Sequence, residues 1–219
     1  MATVRLKAII FDFDFTLVDS SSGIVQCVEY ALQHLGLQIP PAEQIINTIG
    51  LSLSETFSSL TGQCNVESAS RFAQRFHERA DQIMDKETHI YPYVKPVMES
   101  LCSASLRLGI VSTKLHYRVM NILAGNSLEK FFEVIVGADD VNKAKPDPEG
   151  LLLALRAIKV DANDALYVGD HTIDGRAAEG AGTPFLAVLS GRHSREDFDH
   201  IPNLGILESV RGLPDFLGL

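Results

Sequence analysis

The chain has 219 residues, 46% of them apolar, which is enough to bury a full core in one large domain or in one domain carrying a smaller insert; intrinsic disorder is set aside. Nineteen Lys and Arg against 28 Asp and Glu give a net charge of −9, which argues against nucleic acid as a partner and is compatible with a metal site. Cys27, Cys64 and Cys102 are odd in number, widely spaced and in no metal-ligand pattern, and the apolar run before Asp12 is too short for a signal peptide or a membrane span, so a soluble cytoplasmic protein with no membrane partner is expected.

Ala8, Ile9, Ile10 and Phe11 form a short continuous apolar run, the pattern of a parallel strand buried on both faces, and it ends on acid. From Ile24 the spacing turns helical: Ile24, Val28, Ala31, Leu32 and Leu35 share a face, with Ser20, Ser21 and Ser22 as candidate N-caps and Gly36 as the stop. Further helical patterns follow at Ala42, Ile45, Ile46 and Ile49, at Leu53, Phe57 and Leu60 before Gly62, and at Ala69, Phe72, Ala73, Phe76, Ala80 and Ile83. Residues 18–88 thus read as helix throughout. Beyond Pro92 the chain alternates: helix 94–106, strand 108–111, helix 115–125, strand 132–136, helix 149–159, strand 165–168, helix 174–181 and strand 185–189. Strands alternating with helices of this length imply right-handed crossovers. The expected fold is therefore α/β, a doubly wound parallel, Rossmann-like sheet with an all-helical block inserted after the first strand.

In extended backbone alternate side chains share a face, so Asp12 and Asp14 of FDFDFT project together from the carboxyl end of the first strand, where open α/β sheets bind ligands. Two close carboxylates suit a divalent cation such as Mg²⁺; a pair of solvated acids is the plainer alternative. Ser112 follows a strand in LGIVSTK, placed either to bind a phosphate oxygen or to make a turn. Lys145, in KAKPDPEG, sits on a loop stiffened by Pro146 and Pro148, where it fits either a phosphoryl group or a solvated loop charge. After strand 165–168 come Gly169, Asp170 and Asp174. Their i, i+4 spacing puts Asp174 one turn behind Asp170, fit to orient a metal-binding acid or simply to cap a helix. No GxGxxG follows the first strand and the seven histidines form no HExxH, which argues against dinucleotide binding and zinc proteolysis; His171 alone adjoins one of these acids.

Taken in order, DxDxT at 12–16, the strand ending in Ser112, Lys145 before Pro146, and GDxxxD at 169–174 resemble the four motifs of the haloacid dehalogenase superfamily, and the likeness spans essentially the whole chain. TIGLSL and LSGRHSRED are similar to its phosphoglycolate phosphatase and pyrophosphatase branch. The resemblance implies a catalytic core of residues 1–17 and 89–219 and a helical cap of residues 18–88, with specificity in cap side chains of residues 46–56. It further implies Asp12 as the nucleophile on phosphorus and Asp14 as acid and then base. Thr16, Ser112, Thr113 and Lys145 would hold phosphoryl oxygens, and Asp12, the backbone carbonyl of Asp14, and Asp170 would hold Mg²⁺ with Asp174 in support.

The implied substrate is a small phosphorylated metabolite, best matched by 2-phosphoglycolate, acted on by a monomer or homodimer. Inorganic pyrophosphatase and sugar phosphomutase are the alternatives within the superfamily, and a non-enzymatic phosphoreceiver is the alternative outside it. The acid at position 14 disfavours a dehalogenase, the lack of Lys and Arg in residues 49–55 disfavours a mutase, and the long helical insert disfavours a phosphoreceiver. Phe15 departs from the pattern, since the superfamily most often has Gly there; its backbone N–H is expected to stay available and its ring to narrow the pocket.

Overall fold

The structure, a computed structural model, describes residues 6–219, so the first five residues of the expected core segment 1–17 lie outside the described residues. The chain divides into two compact units: residues up to Val18 together with Ile90–Leu219, and Asp19–His89. Strand β1 (Ala8–Phe11) is fully buried along its length, as its unbroken apolar run requires. Strands β2 (Val18–Asp19) and β3 (His89–Ile90) pair as a ribbon that contains both points where the chain passes from one unit to the other. The main sheet adds β4 (Arg107–Val111), β5 (Val134–Val136), β6 (Ala165–Gly169), β7 (Phe185–Val188) and β8 (Ile206–Leu207). Its order is β5-β4-β1-β6-β7-β8, with every neighbouring pair parallel. Ile10 therefore lies between Gly109 and Tyr167.

That order positions the site. The chain builds outward from β1 through β4 to β5, then returns to the other side of β1 with β6. The direction of winding reverses between β1 and β6, and in open α/β sheets ligands bind at the carboxyl ends of the strands flanking such a reversal. Asp12 follows β1 and Asp170 follows β6, so two of the expected acids share that crevice.

The helical unit consists of α1 (Ser21–His34), α2 (Ala42–Ile46), α3 (Leu53–Thr61) and α4 (Val66–Glu87), so strand pairing at Val18–Asp19 trims the all-helical reading of 18–88 at its start, and β3 begins just past its end. Helix α4 buries Ala69, Phe72, Phe76, Ala80 and Met84 at helical spacing and packs along α1; its Phe72 ring lies tilted 5.5 Å from Phe57 of α3 and 6.5 Å from Phe76 of α4 itself. Ser20 is the N-cap of α1 but makes no side-chain cap bond; Asp19 takes that work, its Oδ1 accepting from the Ser21 N–H at 2.9 Å. Ser52 and Glu55 form a reciprocal capping box at the start of α3.

The remaining helices are α5 (Val94–Ser103), α6 (His116–Gly125), α7 (Glu149–Ala157), α8 (Thr172–Ala181) and α9 (Leu213–Leu217). Helices α7 and α8 pack on the sheet over a core that includes Ile10, Val111, Leu151, Leu155, Tyr167 and Phe185. Right-handed crossovers put α5 and α6 on the opposite face, which makes the sheet doubly wound. Among the described residues no helix is long and apolar enough to cross a membrane.

Candidate active site

Lys145 is the hub of the first cluster. Its ammonium lies 2.7 Å from Asp12 Oδ1 and 2.7 Å from Asp174 Oδ1, and all three side chains are buried. The lysine thus faces inward and is no solvated loop charge, whereas the nearby Lys143 is exposed and its ammonium lies 3.7 Å from Asp147. Backbone geometry fixes the partners: the Asp12 N–H bonds the Val168 carbonyl at 2.8 Å, tying the end of β1 to β6. Asp174 is the most committed acid. Its Oδ1 accepts from Lys145 and, at 3.2 Å, from the Tyr167 hydroxyl, and its Oδ2 accepts from the His171 N–H at 3.0 Å.

Helix α8 starts two residues before the expected position, and this changes how the two acids relate. Asp170 precedes the helix, His171 is the N-cap, and Asp174 is the third helical residue, bonding back to the cap in a capping box. The expected one-turn stacking of Asp174 behind Asp170 is replaced by this back-bonded turn. His171 can cap because its Nδ1 accepts from the Ile173 N–H at 3.1 Å, and burial, ahead of any charge nearby, pushes its pKa down to about 4, keeping the ring neutral. Gly169 is required by the same turn, since a Cβ there would lie 2.4 Å from Asp174 Oδ2.

Thr16 stands elsewhere than expected. It is fully buried, and its hydroxyl donates to Asp170 Oδ1 at 2.8 Å, so its side chain orients an acid instead of facing a phosphoryl oxygen. Asp170 is confined from the other side by Gly191, where a Cβ would come within 1.9 Å of Oδ2. Sequence reading did not pick out Gly191: a glycine shortly after a strand reads as turn chemistry, and its role depends on a contact across 21 positions.

Asp14 belongs to a second cluster. Its Oδ1 meets the Lys114 ammonium at 3.1 Å, and both side chains are buried. Ser112 Oγ accepts from the Lys114 N–H at 3.1 Å, which leaves the serine hydroxyl proton to donate, and Thr113 between them is half-buried. Lys114 was also missed by sequence reading, although it lay in the LGIVSTK segment that pointed to Ser112. Phe15, next to Asp14, has φ +60°, and its N–H donates to the Val18 carbonyl at 2.7 Å. The expectation that this N–H stays available is corrected: the tight 13–18 turn consumes it.

The donors of the first cluster fit a hard divalent cation. Asp12, Asp170 and Asp174 each offer a carboxylate oxygen, and these atoms lie within 4.8 Å of one another. Three carboxylates against one lysine leave two negative charges uncompensated. Burial first, and then the Asp174 charge, raises the Asp12 pKa to about 7 against the pull of Lys145. Burial followed by Asp12 and Asp174 likewise raises Asp170 well above the usual carboxylate range. Burial works to lower the Lys145 pKa, but the Asp12 and Asp174 charges outweigh it and hold it well above its ordinary value. A dication is what such a cluster lacks.

The comparison with known proteins meets this geometry. The model of the haloacid dehalogenase-like hydrolase family matches residues 9–188. The chain belongs to that family. Among curated relatives, it is 34% identical to pyrophosphatase PpaX of Bacillus velezensis over 86% of this chain and 85% of that one, and 28% identical to phosphoglycolate phosphatase of Shigella boydii over 98% and 93%. A crystal structure from Bacteroides fragilis, described as a haloacid dehalogenase-like hydrolase, superposes with a TM-score of 0.93 at 36% identity, covering 95% of this chain and 100% of that one. The chain is thus a hydrolase with the doubly wound fold of its family.

Proposed function

We propose that this hydrolase is a Mg²⁺-dependent phosphatase that cleaves a small phosphate monoester, with 2-phosphoglycolate the first choice and pyrophosphate the second. The observation that carries the reading is the convergence of Asp12, Lys145, Asp174 and Asp170 at the winding reversal, with Asp14 on the turn that follows β1. The names of the two curated relatives support the substrate choices.

In this reading an Asp12 carboxylate oxygen attacks phosphorus, the bond from phosphorus to the leaving oxygen breaks, and Asp14 gives its proton to that oxygen. Water then attacks the phosphoaspartate, Asp14 takes up the water proton, and phosphate and free Asp12 result. Lys145 holds Asp12 in place and offsets charge on the transferring group, Ser112 donates its hydroxyl proton to a phosphoryl oxygen, and Thr113 lies on the same loop. Asp12, Asp170 and the backbone carbonyl of Asp14 would hold Mg²⁺, which would supply charge neutralisation for phosphoryl transfer. The donor commitments of Asp174 suit it to orient Lys145, and we assign Thr16 the same kind of role toward Asp170.

The test is a screen of 2-phosphoglycolate, pyrophosphate and sugar phosphates, each with Mg²⁺ and with EDTA. Release of phosphate from at least one of them, abolished by EDTA and restored by Mg²⁺, is expected. Equal turnover with and without the metal would refute the cofactor, and interconversion of sugar phosphates without release would favour the mutase.

A further inference from the structure

We propose that Lys114 is a specificity determinant that selects phosphate esters and anhydrides whose leaving group carries its own negative charge; this rests on the phosphatase reading above. The two buried lysines are used differently. Lys145 spends its three protons on Asp12, Asp174 and, at 3.5 Å, the Val111 carbonyl. Lys114 is nearly as deeply buried, with 9% of its surface exposed, yet among the described residues its ammonium meets one acceptor, Asp14 Oδ1 at 3.1 Å. An ammonium has three donors, and a buried donor without an acceptor is costly. Lys114 therefore presents two donors to whatever enters beside Asp14.

Lys114 is also held in place before any ligand arrives. Its N–H bonds Ser112 Oγ at 3.1 Å and its carbonyl accepts from the Ala138 N–H at 3.0 Å. Two residues on, His116 is tied to the 138–140 turn twice, its N–H donating to Asp139 Oδ1 at 2.7 Å and its Nδ1 lying 2.8 Å from Asp140 Oδ2. Little backbone freedom remains to be lost on binding, which is what makes a charge selective instead of merely attractive.

The chemistry decides which end of the substrate Lys114 meets. Asp14 protonates the leaving oxygen, so the leaving group and the Lys114 ammonium are neighbours of one carboxyl group. A carboxylate one carbon away from the leaving oxygen, as in glycolate, or a second phosphoryl group, as in pyrophosphate, supplies the missing acceptor. A plain alkyl leaving group supplies none and leaves both donors buried and unpaired.

The experiment compares kcat/KM for 2-phosphoglycolate and ethyl phosphate, which share a two-carbon leaving group and differ in its carboxylate, in the full chain and in Lys114→Met, with p-nitrophenyl phosphate as a general phosphatase substrate. The wild type is expected to favour 2-phosphoglycolate, and Lys114→Met to reduce that preference about 10- to 100-fold, the worth of charge-assisted hydrogen bonds. If both substrates slow equally, so that the ratio stands, Lys114 only holds Asp14 and the assignment is overturned. Should Lys114→Met fail to fold, the wild type alone decides, because equal turnover of the two esters overturns the assignment without any variant. Turnover of p-nitrophenyl phosphate without a preference for 2-phosphoglycolate overturns this assignment alone; no turnover of any of the three, nor of pyrophosphate, overturns the phosphatase reading with it.

Discussion

Two acid–lysine clusters sit at the carboxyl end of one sheet, and they are unbalanced in opposite ways. At β1 and β6 three carboxylates share one ammonium whose protons are all taken, so that cluster has an excess of negative charge, and burial together with that excess drives two of its acids toward protonation. Beside β4 one ammonium meets one carboxyl group, that of Asp14, and it is donors that are left over. Charge excess calls for a cation, and spare donors call for an anion. The difference assigns the two ends of a metal-bound phosphate ester to two sides of the site, and each assignment can be broken separately.

The largest expected effect is at Asp12. Asp12→Asn keeps the volume and removes the nucleophile, so turnover should fall by at least about 10³-fold. The same variant tests the charge excess. Asp12 has its pKa raised from 3.8 to about 7, so the folded chain holds a proton that the unfolded chain releases between those values. Wild-type stability contributed by this group is present at low pH and declines as pH rises through that window, at up to about 1.4 kcal/mol per pH unit. A neutral Asn has no such dependence. In EDTA the variant should therefore gain stability relative to wild type between about pH 4 and pH 7, measured by urea denaturation. His171, lowered to about 4, works in the opposite direction but is present in both chains and cancels in the difference. A flat difference would mean that neither burial nor the neighbouring acids raise Asp12 as the geometry implies.

A smaller effect is expected at Gly191. A methyl group there has no room beside Asp170 Oδ2, while Thr16 holds the other oxygen, so Gly191→Ala must turn the carboxylate. Displacing a metal-orienting neighbour typically costs about 10- to 100-fold in metal affinity, which should appear as a raised Mg²⁺ requirement and a smaller Mg²⁺-induced rise in melting temperature. The Asp14–Lys114 side should be untouched: at saturating Mg²⁺ the preference for 2-phosphoglycolate should be that of the wild type. A change in that preference would show that the two clusters are not separable.

What was legible in the sequence follows the same division. Asp12, Lys145 and Asp170 stand directly after strands or before a proline, and Asp14 stands two residues past Asp12, where the position along the chain already fixes the place in the fold. Thr16 could be read as a candidate, but its acceptor, Asp170, lies 154 residues away and decides its role. Lys114 and Gly191 become informative only once β1, β4 and the loop after β7 are side by side. The start of α8 was misplaced because a neutral buried histidine is an uncommon N-cap. Strand β8 and helix α9 are too short to leave a periodic pattern.

Phe15 gives the smallest effect and joins the two clusters, because it lies on the turn between the acid that attacks and the start of β2. Its φ of +60° puts an aromatic residue in the left-handed region, which costs about 1–2 kcal/mol that Gly would not incur. Its ring is buried, and removing a buried Phe side chain costs about 3–5 kcal/mol. The second term is the larger, so Phe15→Gly should lower stability by about 2 kcal/mol in urea denaturation even though it restores the residue usual in the family. The turn itself should persist, since the bonds from N–H 15 to carbonyl 18 and from N–H 17 to carbonyl 13 do not involve the ring. A gain in stability would mean that backbone strain outweighs the packing of the ring, and that the chain tolerates Phe15 for what it does to the pocket instead of for the core.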